Sequence, residues 1–74
     1  MGVLEKQDSA TGAAALTPQQ LQISRLAATG LTNRQIGERL FLSARTVGFH
    51  LHQAFPKLGI TSRSQLRDVL GSDD

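Results

Sequence analysis

Thr32-Asn33-Arg34-Gln35-Ile36-Gly37-Glu38-Arg39-Leu40-Phe41-Leu42-Ser43-Ala44-Arg45-Thr46-Val47-Gly48-Phe49-His50-Leu51 reads as two helices with almost nothing between them. Thr32 and Gln35 have the Ser/Thr-x-x-Glu/Gln spacing, in which each side chain satisfies the other residue's free backbone N–H and opens a helix. Ile36 and Leu40, four apart, give that helix one apolar face. Ser43 is the next N-cap candidate, which leaves Phe41 and Leu42 as the whole connection. The helix that follows, about 44–58, carries Val47, Leu51, Ala54 and Leu58 at spacings of four, three and four, and Gly59 closes it. A short helix, a tight apolar turn and a longer helix make the helix-turn-helix pattern. Gly37 is expected to let the longer helix approach closely.

Two more helices flank this pair. Thr17 and Gln20 repeat the capping spacing, with Pro18 at the first helical position, where its missing N–H costs nothing. The helix runs about 18–28, with Ile23, Leu26 and Ala27 inward and Gly30 as terminator. Ser62 and Gln65 mark a third box and a last helix over about 63–70, burying Leu66, Val69 and Leu70. The expected fold is all-α, a compact four-helix bundle containing a helix-turn-helix, over residues 16–70. Residues 1–15 lack apolar periodicity and read as a flexible linker or a cloning remnant; a linker implies a longer protein on its far side. Residues 71–74 form an acidic C-terminal tail.

Composition narrows the function. At 74 residues and 8.0 kDa only one small domain fits, and such a chain buries about 60% of its unfolded surface, which leaves little for deep pockets. There is no Cys, so no disulfide or thiolate metal site staples the fold. With no Trp or Tyr and three Phe, the core must be aliphatic. No apolar run reaches membrane-span or signal length, so the chain is expected to be cytoplasmic, with no membrane partner. His50 and His52 are the only histidines. They point about 200° apart on a helix and cannot share a metal. No catalytic constellation, metal or cofactor is expected.

Charge distribution says more than its total. The formal net charge is +2, although the sequence pI is 10.0. Within 17–70, seven basic residues (Arg25, Arg34, Arg39, Arg45, Lys57, Arg63, Arg67) stand against Glu38 and Asp68, a net +5. This basic body between acidic ends favours a polyanionic partner. With Val47 and Leu51 inward, the opposite face of the long helix holds Arg45, Phe49, His52, Gln53 and Pro56, with Gly48 at its edge. No acid occurs from Ala44 to Leu58. A plain helical hairpin without a ligand fits the bare pattern equally well, but an acid-free face suits the major groove. Phe49 fits either a thymine methyl or a satellite contact with a neighbouring helix or partner.

The stretches Leu16-Thr17-Pro18, Gly30-Leu31-Thr32-Asn33-Arg34-Gln35-Ile36 and Leu40-Phe41-Leu42-Ser43 resemble the LuxR-type (LuxR/FixJ) DNA-binding domain. So do Arg45-Thr46-Val47-Gly48-Phe49-His50-Leu51 and Lys57-Leu58-Gly59-Ile60-Thr61-Ser62-Arg63. The resemblance covers about 16–70. It implies sequence-specific binding of double-stranded DNA by the C-terminal output domain of a bacterial transcriptional regulator, with the long helix in the major groove. It also implies phosphate contacts from Asn33, Ser43, Arg45, Thr46 and Lys57, and a base-facing set of Gly48, Phe49, His52 and Gln53. His50 matches the family's near-fixed histidine, and its angle at the core margin suits a structural or phosphate-anchoring role. A homodimer on DNA through the Leu66, Val69 and Leu70 region is implied, with closure of the core as the other role of that helix; contact with RNA polymerase is implied for the full-length protein. Two positions depart from the family pattern. Gly48 offers no side chain where a charged or polar one is usual, and Pro56 replaces a usual basic residue, removing a phosphate contact. A sigma-factor-like promoter reader and a helical protein–protein module are the alternatives; the Thr46-Val47-x-x-His50 spacing favours the LuxR type over the former.

Overall fold

The computed structural model describes residues 12–70, and every regular element among them is helical. We label the helices α1 (Pro18–Ala28), α2 (Asn33–Leu40), α3 (Ala44–Leu58) and α4 (Leu66–Leu70). One 3-10 turn, Gly12–Ala15, precedes α1, and another, Arg63–Gln65, leads into α4.

The first three helices begin and end at the residues their caps dictate. Thr17 Oγ1 accepts the Gln20 N–H and Gln20 Oε1 accepts the Thr17 N–H, both at 3.1 Å. Thr32 and Gln35 repeat the exchange at 3.1 and 2.9 Å. Ser43 Oγ accepts the Thr46 N–H at 3.0 Å. At the far end of α3, Gly59 takes φ 72°. Its N–H meets the Pro56 carbonyl, and the Ile60 N–H reaches back to the Phe55 carbonyl, each at 3.1 Å. That pair of bonds satisfies carbonyls a helix end would otherwise leave free. Pro56 sits inside this last turn, on the exposed side, and α3 continues past it to bury Leu58.

Three expectations need correction. The last helix is not one element over 63–70. The Gln65 N–H bonds the Ser62 carbonyl at 3.2 Å, an i→i−3 link that makes Arg63–Gln65 a 3-10 turn, so α4 proper has five residues. In so short a helix Leu66 and Leu70, one turn apart, face inward, and Val69 is left 45% exposed rather than buried. Gly12–Ala15 occupies the end of the stretch expected as linker, and this turn packs on α3; residues 1–11 and the tail 71–74 lie outside the described residues.

The third correction concerns Gly37. A Cβ there would overlap the Leu42 carbonyl oxygen. The close approach is therefore made by the turn backbone and not by the body of α3. The Gly37 carbonyl accepts two N–H groups from that turn, those of Phe41 and Leu42.

The core is one cluster. Ile23, Ile36, Val47 and Leu66, one from each helix, are fully buried, with Ala27, Ala28, Leu51, Leu58 and Ile60 around them. Leu16, Leu26, Leu31, Leu40, Leu42, Phe55 and Leu70 close its edges. α3 packs against both α1 and α2, and α4 closes the structure against α1. At about 25 cal/mol for each Å² of apolar surface removed from water, these aliphatic side chains hold the two helices of the recognition pair together.

Candidate nucleic-acid interface

α3 has two distinct sides. Val47, Leu51, Ala54 and Leu58 are buried, while Arg45, Phe49, His52, Gln53, Pro56 and Lys57 are exposed. Phe49 is 58% exposed, and its ring meets His50 edge-on with centroids 5.9 Å apart. It is therefore not a satellite of the core. His50 is half-buried, and its Nδ1 is enclosed without a hydrogen-bond partner. It therefore lies at the margin of the core.

The C-terminal end of α2 feeds the head of α3, while the start of α2 lies against the second turn of α3 at Gly48. Ser43 is exposed, and its hydroxyl donates to Thr46 Oγ1 at 2.9 Å, so both hydroxyls lie at the head of α3 beside exposed Arg45. Helix N-termini present free N–H groups and a positive dipole end, which favours an anion there. Asn33, the first residue of α2, stands against α3. A Cβ on Gly48 would come 3.2 Å from Asn33 Nδ2. Asn33, Gly48, Leu51, His52, Phe55 and Arg63 together line a cleft along this side of α3.

Two expected contacts are engaged by α1. Lys57 donates to Gln20 Oε1 at 3.0 Å, and Gln20 Nε2 reaches Gln53 Oε1 at 3.5 Å. Gln20 is 5% exposed. It therefore caps α1 and steadies two exposed side chains of α3 at once. Gln53 stays on the exposed face with Phe49 and His52, and its side-chain carbonyl reaches toward α1. The structure thus sets Asn33, Gly48 and His52 along one cleft, Ser43, Arg45 and Thr46 at the head of α3 and Phe49 exposed on it, and ties Gln53 and Lys57 to α1.

Sequence reasoning missed Gln20 as a partner of Lys57 and Arg63 as a partner of Asn33. Arg63 donates to Asn33 Oδ1 at 2.5 Å and to the Leu31 carbonyl at 2.6 Å. Both pairs join residues 30 or more apart, and no local spacing announces them.

The electrostatics follow from composition. Among the described residues one ion pair forms, Arg34 with Glu38 at 3.7 Å, exposed on both sides. Such a pair contributes little, so the other basic side chains project positive potential into solvent. The described residues hold no helix long and apolar enough to cross a membrane and no cluster of three metal-ligating side chains.

With this geometry in place, the pattern describing bacterial regulatory proteins of the luxR family matches residues 14–70. The chain belongs to the luxR family. It is a helix-turn-helix domain of DNA binding and transcription regulation, and the sigma-factor alternative falls with that match. Among similar proteins is one of Mycobacterium bovis described as an HTH-type transcriptional regulator, 45% identical over 64 residues; these cover 86% of this chain and 7% of that protein. The DNA-binding transcriptional activator DevR/DosR of Mycobacterium tuberculosis is 41% identical over 64 residues, 86% of this chain and 28% of its own length. The transcriptional regulatory protein LiaR of Bacillus subtilis is 42% identical over 50 residues, 68% of this chain and 24% of its own. The luxR domain spans less than a third of each of these relatives. No solved structure matches it at comparable stringency.

Proposed function

We propose that this luxR domain is the DNA-reading output domain of a larger bacterial transcription regulator, with α3 lying in the major groove. One observation carries the reading. The exposed side of α3 offers Arg45, Phe49 and His52 to solvent, the helix contains no acid, and the first residue of α2 lies against it at Gly48. Such a surface matches a groove walled by phosphates.

In this arrangement Asn33, Ser43, Arg45, Thr46 and Lys57 hold the phosphate backbone and set the register of α3. Phe49 and His52 face base edges, with Phe49 suited to a thymine methyl. Gly48, whose missing side chain leaves room for the Asn33 carboxamide, reads no base itself. Gln53, drawn toward α1, reads the margin of the groove, and His50 anchors α3 structurally. One module of this size makes a small footprint, so useful affinity requires two copies on adjacent half-sites. Leu66 lies in the core, which leaves Val69 and the exposed edge of Leu70 as the pairing surface on α4. In the full-length regulator, which acts in the cytoplasm without cofactor or catalysis, the exposed turn at Phe41 is free to meet RNA polymerase.

Arg45→Ala and His52→Ala test the division of labour. Duplexes enriched from a random pool on the 74-residue chain serve as specific DNA, and a shuffled duplex as random DNA. Arg45→Ala should weaken both alike and flatten the slope of log affinity against log salt by roughly one unit. His52→Ala should cost about 1–3 kcal/mol on the specific duplex and little on the shuffled one. If both variants lower both affinities by one factor, the split into backbone and base contacts is wrong.

A further inference from the structure

Arg63 belongs to the turn before α4, yet its guanidinium is engaged at the other end of the recognition unit. One nitrogen donates to Asn33 Oδ1 at 2.5 Å and the other to the Leu31 carbonyl at 2.6 Å. Both bonds reach back 30 residues or more, and Arg63 is half-buried while making them. The planar fork is what allows one side chain to satisfy two acceptors in fixed relative positions. Leu31 precedes the cap of α2 and Asn33 opens it, so the fork grips the start of α2 from both sides of Thr32.

The consequence falls on Asn33. A carboxamide has an acceptor oxygen and a two-proton donor nitrogen. With Oδ1 taken by Arg63, the carboxamide is left with its donor end. That end lies over α3 at the one place where α3 has no side chain, since a Cβ on Gly48 would fall 3.2 Å from Nδ2. Phosphate oxygens accept hydrogen bonds and donate none, so a carboxamide restricted to donating is matched to them.

We propose that Arg63 is a positioning residue for DNA binding: without touching the duplex, it turns Asn33 so that Nδ2, above Gly48, donates to a phosphate oxygen. Arg63 also ties α4 to the DNA-facing flank, since it leads directly into that helix. The proposal rests on the reading of Asn33 as a phosphate contact, and the test separates the two.

Asn33 is the chain's single asparagine, so selective labelling with [15N]asparagine gives one carboxamide pair in an NMR spectrum. Arg63→Lys keeps the charge but cannot hold both acceptors. It should shift the Asn33 carboxamide pair in the free protein while the backbone pattern of the core stays in place. Duplex affinity should fall about tenfold, the scale of one lost hydrogen bond to a charged group, with an unchanged salt slope. In an Asn33→Ala background the same substitution should have no further effect on affinity. Gly48→Ala, which improves helix propensity, gives a second route if Arg63→Lys does not fold. Its methyl should displace the carboxamide and weaken binding only while Asn33 is present. An equal loss from Arg63→Lys in both backgrounds, or an unmoved carboxamide pair, overturns the proposal. Full affinity in Asn33→Ala alone overturns the phosphate reading beneath it, and the proposal with it.

Discussion

Gly37 and Phe41 show how one tight turn divides its demands between two residues. Gly37 has no room for a Cβ, which would overlap the Leu42 carbonyl oxygen. Phe41 takes φ 60° and ψ 44°, the left-handed conformation glycine or asparagine adopts with least strain, while 93% of its surface is exposed. The two substitutions should therefore act in opposite directions. Gly37→Ala gains helix propensity but must push backbone against backbone, at a cost of about 1–3 kcal/mol. The melting temperature should fall by roughly 4–8 °C for each kcal/mol in a domain of this size. Phe41→Asn gives up almost no burial and relaxes the strain, so it should melt higher, by a stabilisation of about 0.5–1 kcal/mol. Thermal unfolding followed by circular dichroism checks both. A Gly37→Ala variant that melts higher would mean that the turn has room its geometry denies.

At the scale of the element, α3 is where sequence and structure agree and also where they part. Its start at Ser43, its inward series from Val47 to Leu58 and its stop at Gly59 were legible because each depends on neighbours within four residues. The same holds for α1 and α2, each opened by a reciprocal cap. The last helix was not legible as built. The spacing of Ser62 and Gln65 is that of a capping box, but the backbone there closes as a 3-10 turn, and only packing against α1 decides where α4 begins. Pro56 was the discordant residue of α3. The helix absorbs it because the proline falls in the last turn, where carbonyls have partners from beyond the helix, and because the freed His52 carbonyl lies on the exposed side with access to water. Pro56→Arg should restore the missing hydrogen bond and add a cation near the groove. It should melt higher and bind duplex DNA more tightly at low salt, with the gain shrinking as salt rises. A lower melting temperature would show that the closing turn at Gly59 depends on the fixed φ of the proline.

The whole molecule is a basic helical body in which the pair α2 and α3 is tied together and held from both flanks. α2 packs along α3, α1 reaches Lys57 and Gln53 through Gln20, and the turn before α4 reaches Asn33 through Arg63. The charge excess and the exposed side of α3 could be read from sequence, and they suffice for the class of function. The long-range side-chain bonds could not, since they depend on how helices distant in sequence converge. They alter the reading of particular residues, setting Gln53 and Lys57 beside α1 and giving Asn33 a fixed orientation. The central claim is that DNA lies along the exposed side of α3 and the head of α2. Titrating the 15N-labelled chain with an enriched duplex and following backbone amide shifts tests it directly. The largest changes should fall at Asn33 and from Ser43 through His52, with the α1 surface around Gln22 and Arg25 unmoved. Shifts centred on α4 or α1, with α3 silent, would contradict it.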